Sequence, residues 1–469
     1  MNDIIIIGGG IAGLYCFYQL QKKFPNKNLK ISLFEKNDYF GGRCLTKYKK
    51  FNKKFNKKIN KTFNNKLNKK IIQYETGAGR LNENHKLFLS LLKDLDLKDE
   101  LIETTGKSNI LPSKDYDLKS KFQNKTSFTY IKKVINHAKS LIKKNKIKGT
   151  KELQKYTFIE YAKTILQQDE VKFLLDFSGY YGELVYENAY DAIRLFEEGI
   201  TNSLKYYILK HGFTHFINTL VKKIKINGQQ KQQKQQKQQE QQEEQYHQLY
   251  LNQELLKIKE LGNTYVLNIN NNIYQTKFLI LALPKPALLK FNYLNIYNPE
   301  LNSVSCKPLC RIYSVFPKTW FSNLEKSTTN TNLRYIIPIN KENGLIMTSY
   351  TDAKYALYWK KFLNKSNNEL SKEIVKQLKL IFYEKEKTKN KTTETPIKIE
   401  KPIYNSINYW NCGVAYWKPN VNSKVISKKM LKINKDKTLY IIGENYSNNQ
   451  GWVEGALETV EDLFKYYLK

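Results

Sequence analysis

Gly8, Gly10 and Gly13 stand in the run Gly8-Gly9-Gly10-Ile11-Ala12-Gly13, directly behind Ile4 to Ile7. Four apolar residues, a glycine turn and a helical start are what a bound pyrophosphate requires. Gly8 permits the tight turn, Gly10 lets the backbone approach the phosphates, and Gly13 lets helix and strand pack closely. The free N–H groups at Ile11 and Ala12 belong to a helix N-terminus, where anions are stabilised. A second apolar run, Ile31, Leu33 and Phe34, ends at Glu35, with Lys36 beside it. A carboxylate there can accept two hydrogen bonds from a ribose diol. Gly41-Gly42-Arg43 then offers a second close approach at Gly42 and a fork of donors for phosphate at Arg43. Lone glycine motifs are weak. This one gains weight from its strand, its helix and the acid at the end of the second strand.

Arginine is scarce. The chain has 79 basic residues, and only Arg43, Arg80, Arg194, Arg311 and Arg334 are arginines. Lysine cannot replace the planar fork at a bidentate site, so each arginine is a candidate for a specific task. The five cysteines, Cys16, Cys44, Cys306, Cys310 and Cys412, are scattered, odd in number and free of any Cys-x-x-Cys pair. They fit free thiols in a reducing compartment, with no metal site.

The surrounding pattern is strand, glycine turn, helix and strand over residues 1–46, with Leu14, Phe17, Tyr18 and Leu20 as the helix stripe. Residues 85–225 read as largely helical, including an amphipathic helix through Leu87, Phe88, Leu91, Leu92 and Leu95. A helix from Phe213 to Ile224 precedes a strand-rich stretch from Leu255 to Leu283. The stretch 296–350 reads as short strands. The chain closes with a strand at Leu439 to Ile442 and a helix from about Gly451 to Tyr467. Residues 229–245, nearly all Gln, Lys and Glu, are expected to form a mobile loop, and 385–395 another charged loop. Residues 47–70 carry Phe51, Phe55, Ile59, Phe63 and Leu67 at every fourth place in a Lys/Asn background. They are expected to be an inserted surface hairpin, with peripheral contact to an anionic surface as the sharper reading.

Length and hydrophobic content allow two domains, and no apolar run is long enough for a membrane span. The Met-Asn-Asp start lacks the basic lead of a signal peptide, so a cytoplasmic location is expected. The formal net charge of +36 is mostly lysine in an Asn-, Ile- and Tyr-rich chain. No nucleic-acid motif accompanies it, so compositional drift explains it and no specific nucleic-acid partner is expected.

These motifs resemble the flavin-containing amine oxidases: monoamine and polyamine oxidases, L-amino-acid oxidases and flavin-dependent lysine demethylases. Four segments carry the resemblance. They are the glycine unit ending at Glu35, Gly41-Gly42-Arg43, Glu75-Thr76-Gly77-Ala78-Gly79-Arg80, and Gly443-Glu444 followed by Gly451-Trp452-Val453-Glu454-Gly455-Ala456. Leu281-Ala282-Leu283-Pro284 is a weaker match. The segments keep the family's order along the whole chain.

The resemblance implies an α/β fold. A Rossmann-like FAD-binding domain of the glutathione-reductase type, residues 1–88, 212–290 and 430–469, interleaves with a mixed-sheet and helical substrate domain, residues 89–211 and 291–429. Non-covalent FAD is implied, held by the first two motifs with Gly77, Ala78, Gly79, Arg80, Pro284, Gly443, Glu444, Gly451, Trp452 and Val453. The final helix aims its N-terminus at the flavin's anionic end. Trp452 falls where the family has one wall of an aromatic cage, and Trp410, Tyr416 and Trp417 fall near the other. Such a slot also lowers an amine's pKa, and the neutral amine is the form that loses hydride. Arg80 falls where L-amino-acid oxidases clamp the substrate carboxylate. The family's flavin-side lysine corresponds to Lys307 by chemistry or to Arg311 by spacing, and an arginine there implies slow reaction with oxygen.

The implied activity is oxidation of the C–N bond of a small amine or L-amino acid. Hydride passes to flavin N5, and molecular oxygen reoxidises the flavin to give hydrogen peroxide. A related desaturase or isomerase and a catalytically degenerate flavin-binding scaffold are the alternatives. A histone-tail demethylase is disfavoured, because it needs an acidic groove in a chain that is strongly basic.

Overall fold

The computed structural model describes residues 2–25, 29–51, 71–201, 204–236, 247–388 and 391–468. Its first sheet grows from the isoleucine strand. Asn2–Ile7 lies parallel to Ile31–Phe34 on one side, Ile7 opposite Phe34, and to Asn272–Leu281 on the other, Ile7 opposite Leu281. Alternate isoleucines serve opposite layers. Ile4 and Ile6 pack with the helices Ile11–Lys23 and Val453–Tyr466, while Ile5 and Ile7 pack with Leu255, Leu267 and Trp417. Burial on both faces explains why the strand is apolar without alternation.

The long Asn272–Leu281 strand is shared. Its first half pairs antiparallel with Thr264–Ile269, and its last three residues pair parallel with Leu439–Ile441. The C-terminal strand therefore returns beside the first one. Gly443 and Glu444 emerge at the edge where the glycine turn lies.

The second sheet runs Tyr404–Trp417, Val304–Val315, Leu345–Asp352, Tyr335–Asn340, Ser327–Thr329 and Asn109–Leu111. Its neighbours are antiparallel except the last pair. Val304–Val315 spans 12 residues, longer than the short strands expected there. Helices between Ser127 and Glu198 cover this region around Phe158, Phe173 and Phe177.

Three expectations need correction or restriction. Residues 229–245 are not wholly loop: the helix that begins at Gly212 continues to Gln236, because Gln and Lys are good helix formers. Residues 385–395 are not a loop either. Tyr383–Thr388 and Lys391–Pro396 pair antiparallel, in a segment whose threonines favour extended backbone. The stem of the 47–70 insertion is a hairpin, Thr46–Lys49 against Ile72–Glu75, and Phe51 packs edge-on to Tyr404 at 5.9 Å. The rest of the period-four stripe, and residues 237–246, lie outside the described residues. No helix among the described residues is long and apolar enough to cross a membrane.

Candidate active site

The glycine turn is packed where it must be and open where a ligand would lie. Gly8 has φ +107°, and its N–H donates to the Phe34 carbonyl at 2.8 Å. A Cβ on Gly8 would strike the Ala282 carbonyl, and one on Gly13 would strike the Gly8 carbonyl. Gly10 and Gly443 are different: nothing lies within 4 Å of where a Cβ would stand on either. The Gly41 N–H donates to the Gly9 carbonyl at 2.8 Å, which brings Gly42 beside Gly10. The helix Ile11–Lys23 starts at Gly10 with no side-chain cap and no acid in its first turn, so its N–H groups stay available.

Glu35 is buried at the end of its strand. It accepts from Gly9 N at 2.7 Å, from Asn37 N at 2.9 Å and from Asn37 Nδ2 at 2.6 Å. A carboxylate accepts about four hydrogen bonds, so about one remains for a ribose instead of the two expected. Lys36 and Pro284 are exposed at the rim.

Arg43 joins the motifs. Its guanidinium donates to Glu444 Oε2 at 2.8 Å and to the Gly413 carbonyl at 2.6 Å. Glu444 also accepts from Gly451 N at 2.8 Å and from Asn445 Nδ2 at 2.8 Å. Ala78 N donates to the Arg43 carbonyl at 2.9 Å, and Gly77 packs on the same backbone. The final helix, Val453–Tyr466, begins after Trp452. Its Glu454 turns to the neighbouring helix, Lys86–Asp94, and accepts from Leu87 N and Phe88 N at 2.8 and 2.9 Å. Burial pushes the Glu454 carboxyl up to about 7.

Arg80 has a different environment. It donates to the Tyr180 hydroxyl, stacks on Tyr206 at 4.7 Å and lies 5.8 Å from the Trp452 ring. Among the described residues no carboxylate pairs with it. Although ringed by side chains, Arg80 and Tyr350 keep some accessible surface. His85 meets Trp452 edge-on at 4.6 Å, and burial and the Arg80 charge push it down to about 3, so the ring is neutral. Lys326 approaches from another segment. Its Nζ donates to the Gly106 carbonyl at 3.1 Å and lies 5.1 Å over Tyr335. Burial and Arg80 push it down to about 6.

Arg311 stacks on Tyr350 at 4.7 Å, donates to the Glu75 carbonyl at 3.3 Å and presses on Gly79. It thus lies against the Glu75–Arg80 segment. Lys307, on the same strand, sits 3.9 Å over Tyr186, and burial and Lys418 lower its pKa. A register shift between Lys307 and Leu309 separates the two.

Of the expected second cage wall, Trp410 donates to the Thr76 carbonyl at 2.7 Å and Trp417 donates to the Ser447 carbonyl at 3.0 Å. Tyr416 is buried against Gly182, beside the carboxyls of Glu183 and Asp352. The side chain from this strand that reaches the turn before Trp452 is Val414, 3.7 Å from the Cβ position of Gly451. Asp352 accepts from Gly182 N at 2.9 Å and is pushed up to about 6 by burial. Glu183 is held well above the carboxylate range by burial and by Asp352.

The sequence reading missed Lys326, Glu183, Asp352 and the tyrosines around Arg80. No local motif marks them, because each comes from a different segment. It also expected five free thiols, whereas Cys306 and Cys412, 106 residues apart, form a disulfide. Adjacent antiparallel strands bring them together, with Cα atoms 5.1 Å apart.

An open glycine cradle, an ion pair across three motifs and an arginine enclosed by aromatic rings mark an oxidoreductase fold built around a dinucleotide. The chain belongs to the flavin-containing amine oxidoreductases, whose family model matches residues 11–459. The cofactor of that family is FAD, and the residues present fit it: Gly10, Gly42 and Gly443 leave the hollow, and Arg43 and Glu444 stand at its edge. Over 99% of its length the chain is 22% identical to the uncharacterized protein R188 of Acanthamoeba polyphaga mimivirus, covering 94% of that protein. The fold also matches a crystal structure from Exiguobacterium sp. 255-15, assigned as a protoporphyrinogen oxidase, with TM-score 0.63 and 14% identity. That match covers 99% of this chain and 98% of the other.

Proposed function

We propose that this protein oxidises the C–N bond of a small L-amino acid. Arg80 carries the choice of an amino acid over a simple amine. A guanidinium enclosed by Tyr180, Tyr206 and Trp452 has lost much of its water, and among the described residues no carboxylate pairs with it in exchange. The Tyr180 hydroxyl and the Tyr206 ring offset part of that loss, and an anion that arrives with a ligand would offset the rest. A substrate carboxylate fits the fork and would be oriented by it.

Lys326 reinforces the reading. Its lowered pKa reflects burial beside Arg80, and an arriving carboxylate would restore its proton. FAD held by Gly10, Gly42, Gly443 and Arg43 would supply a two-electron acceptor for the substrate hydride, with molecular oxygen as the final acceptor and hydrogen peroxide as its product. Trp452 and His85 provide the apolar wall that excludes water and favours the neutral amine. We assign Arg311 the place of the family's lysine, because it lies against the Glu75–Arg80 segment that leads to Arg80, and with an arginine there the reaction with oxygen is expected to be slow. The first sheet and its glycine cradle would form the FAD part, of glutathione-reductase type and bounded as the resemblance implies. The second sheet and the helices over it would form the substrate part.

The test is a peroxide assay on the purified yellow protein with amino acids, monoamines, polyamines and protoporphyrinogen, the last named for the Exiguobacterium protein's assigned activity. Peroxide from amino acids alone supports the proposal. Equal turnover of simple amines removes Arg80 from substrate recognition. Yellow protein inert to the whole panel supports a flavin-binding scaffold instead.

A further inference from the structure

The Cys306–Cys412 disulfide joins two strands of the second sheet beside Asn445, the residue after Glu444. Asn445 Oδ1 lies 3.8 Å from each sulfur, while Asn445 Nδ2 donates to Glu444 at 2.8 Å. Gly413, the next residue after Cys412, gives its carbonyl to Arg43 at 2.6 Å. The disulfide is thus one side chain away from the Arg43–Glu444 pair on one path and one residue away on the other.

Its surroundings are basic. Lys307 follows Cys306 directly. The charges of Lys307 and Lys418 both depress Lys285, which burial first lowers, to about 8. Lys285 N donates to the same Asn445 Oδ1 at 2.8 Å. Among the described residues none of these three lysines pairs with a carboxylate. The Nζ atoms of Lys307 and Lys285 lie over Tyr186 and on the Val304 carbonyl respectively, so the lysines act on the sulfurs only through the local potential, which favours the thiolate that carries out disulfide exchange. Both sulfur-bearing residues keep partial exposure, whereas Cys16, Cys44 and Cys310 are buried, and burial pushes those three thiols up. A bond that only stapled the sheet would need neither the access nor the charge.

We propose that Cys306 and Cys412 form a second redox centre that takes an electron pair from small dithiols and passes it to the flavin. The steps balance. A dithiol R(SH)2 and the protein disulfide exchange to give the cyclic disulfide of R and the Cys306 and Cys412 thiols. Those two thiols re-form their S–S bond as FAD becomes FADH2. Molecular oxygen then takes the electron pair and two protons as hydrogen peroxide, as in the amine reaction. The substrate class is a compact dithiol, which can reach the partly exposed pair and leave as its own disulfide.

Anaerobic mixing of the yellow protein with dithiothreitol tests this through the visible absorbance of oxidised flavin. The wild type bleaches at least about tenfold faster than the Cys306→Ser/Cys412→Ser variant, since direct attack on flavin lacks the exchange step. Equal rates in the two proteins overturn the proposal. A second measurement needs no variant. The apoprotein is reduced with dithiothreitol, freed of it without oxygen and given one equivalent of FAD, and the thiols are alkylated and mapped. Flavin bleaching matched by loss of alkylatable Cys306 and Cys412 supports electron transfer from the pair. Thiols that persist beside bound, oxidised flavin, or a pair that is already free in the aerobic protein, overturn it. The outcome is independent of whether amino acids are substrates, which the peroxide panel reads separately.

Discussion

Arg43 and Arg80 lie at two ends of one connected region, and their surroundings are opposite in kind. Arg43 is matched inside the protein, by Glu444 and the Gly413 carbonyl, and the turn around it is fixed by backbone contacts. Arg80 is surrounded by neutral aromatic rings and by Lys326, whose pKa burial and the Arg80 charge push down to about 6, and among the described residues no carboxylate pairs with it. The first arrangement is complete as a scaffold and offers shape. The second is incomplete as a scaffold and offers charge. A cofactor held mainly by backbone suits the first, and a small anionic substrate suits the second.

The contrast is broken most sharply by filling the hollow. Gly10 has φ −71° and open space at its Cβ position, so Gly10→Ala folds without strain. Its stability should stay within about 0.5 kcal/mol of wild type, as for changes that touch nothing. The methyl group would occupy the phosphate approach, so the purified variant should be colourless. Gly13→Ala should instead unfold at markedly lower temperature, since its Cβ meets the Gly8 carbonyl. Flavin absorbance and thermal melts of the two variants separate cradle from scaffold.

Arg80→Lys should raise KM for an amino acid about 100-fold, from losing a charge-assisted fork worth roughly 3 kcal/mol. For a decarboxylated amine KM should barely change. Steady-state kinetics on the matched pair checks both halves.

Glu444→Ala should cost about 2 kcal/mol in chemical denaturation. That is less than a fully buried pair would lose, because Arg43 keeps 31% exposure.

The last effect is a slope with pH. Lys326 titrates near 6 when folded and at its ordinary value of 10.5 when unfolded. Below about 6 both states hold the proton, and above 10.5 neither does. Between them the unfolded chain binds more protons, so stability rises with pH across that window. Denaturation at several pH values should show this rise in wild type and lose it in Lys326→Met.

The same contrast explains what the sequence disclosed. Phosphate binding by backbone demands glycines at fixed spacing, so Gly8, Gly10 and Gly13 were legible, as were the strand before them and Glu35 after. Arg80 was legible because it ends a contiguous segment. Lys326, Tyr180 and Tyr206 reach Arg80 from three separate segments, and no periodicity couples them. The Cys306–Cys412 bond was hidden for the same reason: strand register, not spacing, brings the two together. The helix to Gln236 was missed because low complexity was taken for loop, although Gln and Lys favour helix.

The central claim is that an anion brought by the substrate completes the Arg80 region. The most direct measurement is anaerobic stopped-flow reduction of the flavin by an L-amino acid and by the amine left when its carboxylate is removed. Rapid bleaching by the amino acid and little or none by the amine is the predicted result. Bleaching by the amine at an equal rate would contradict the account.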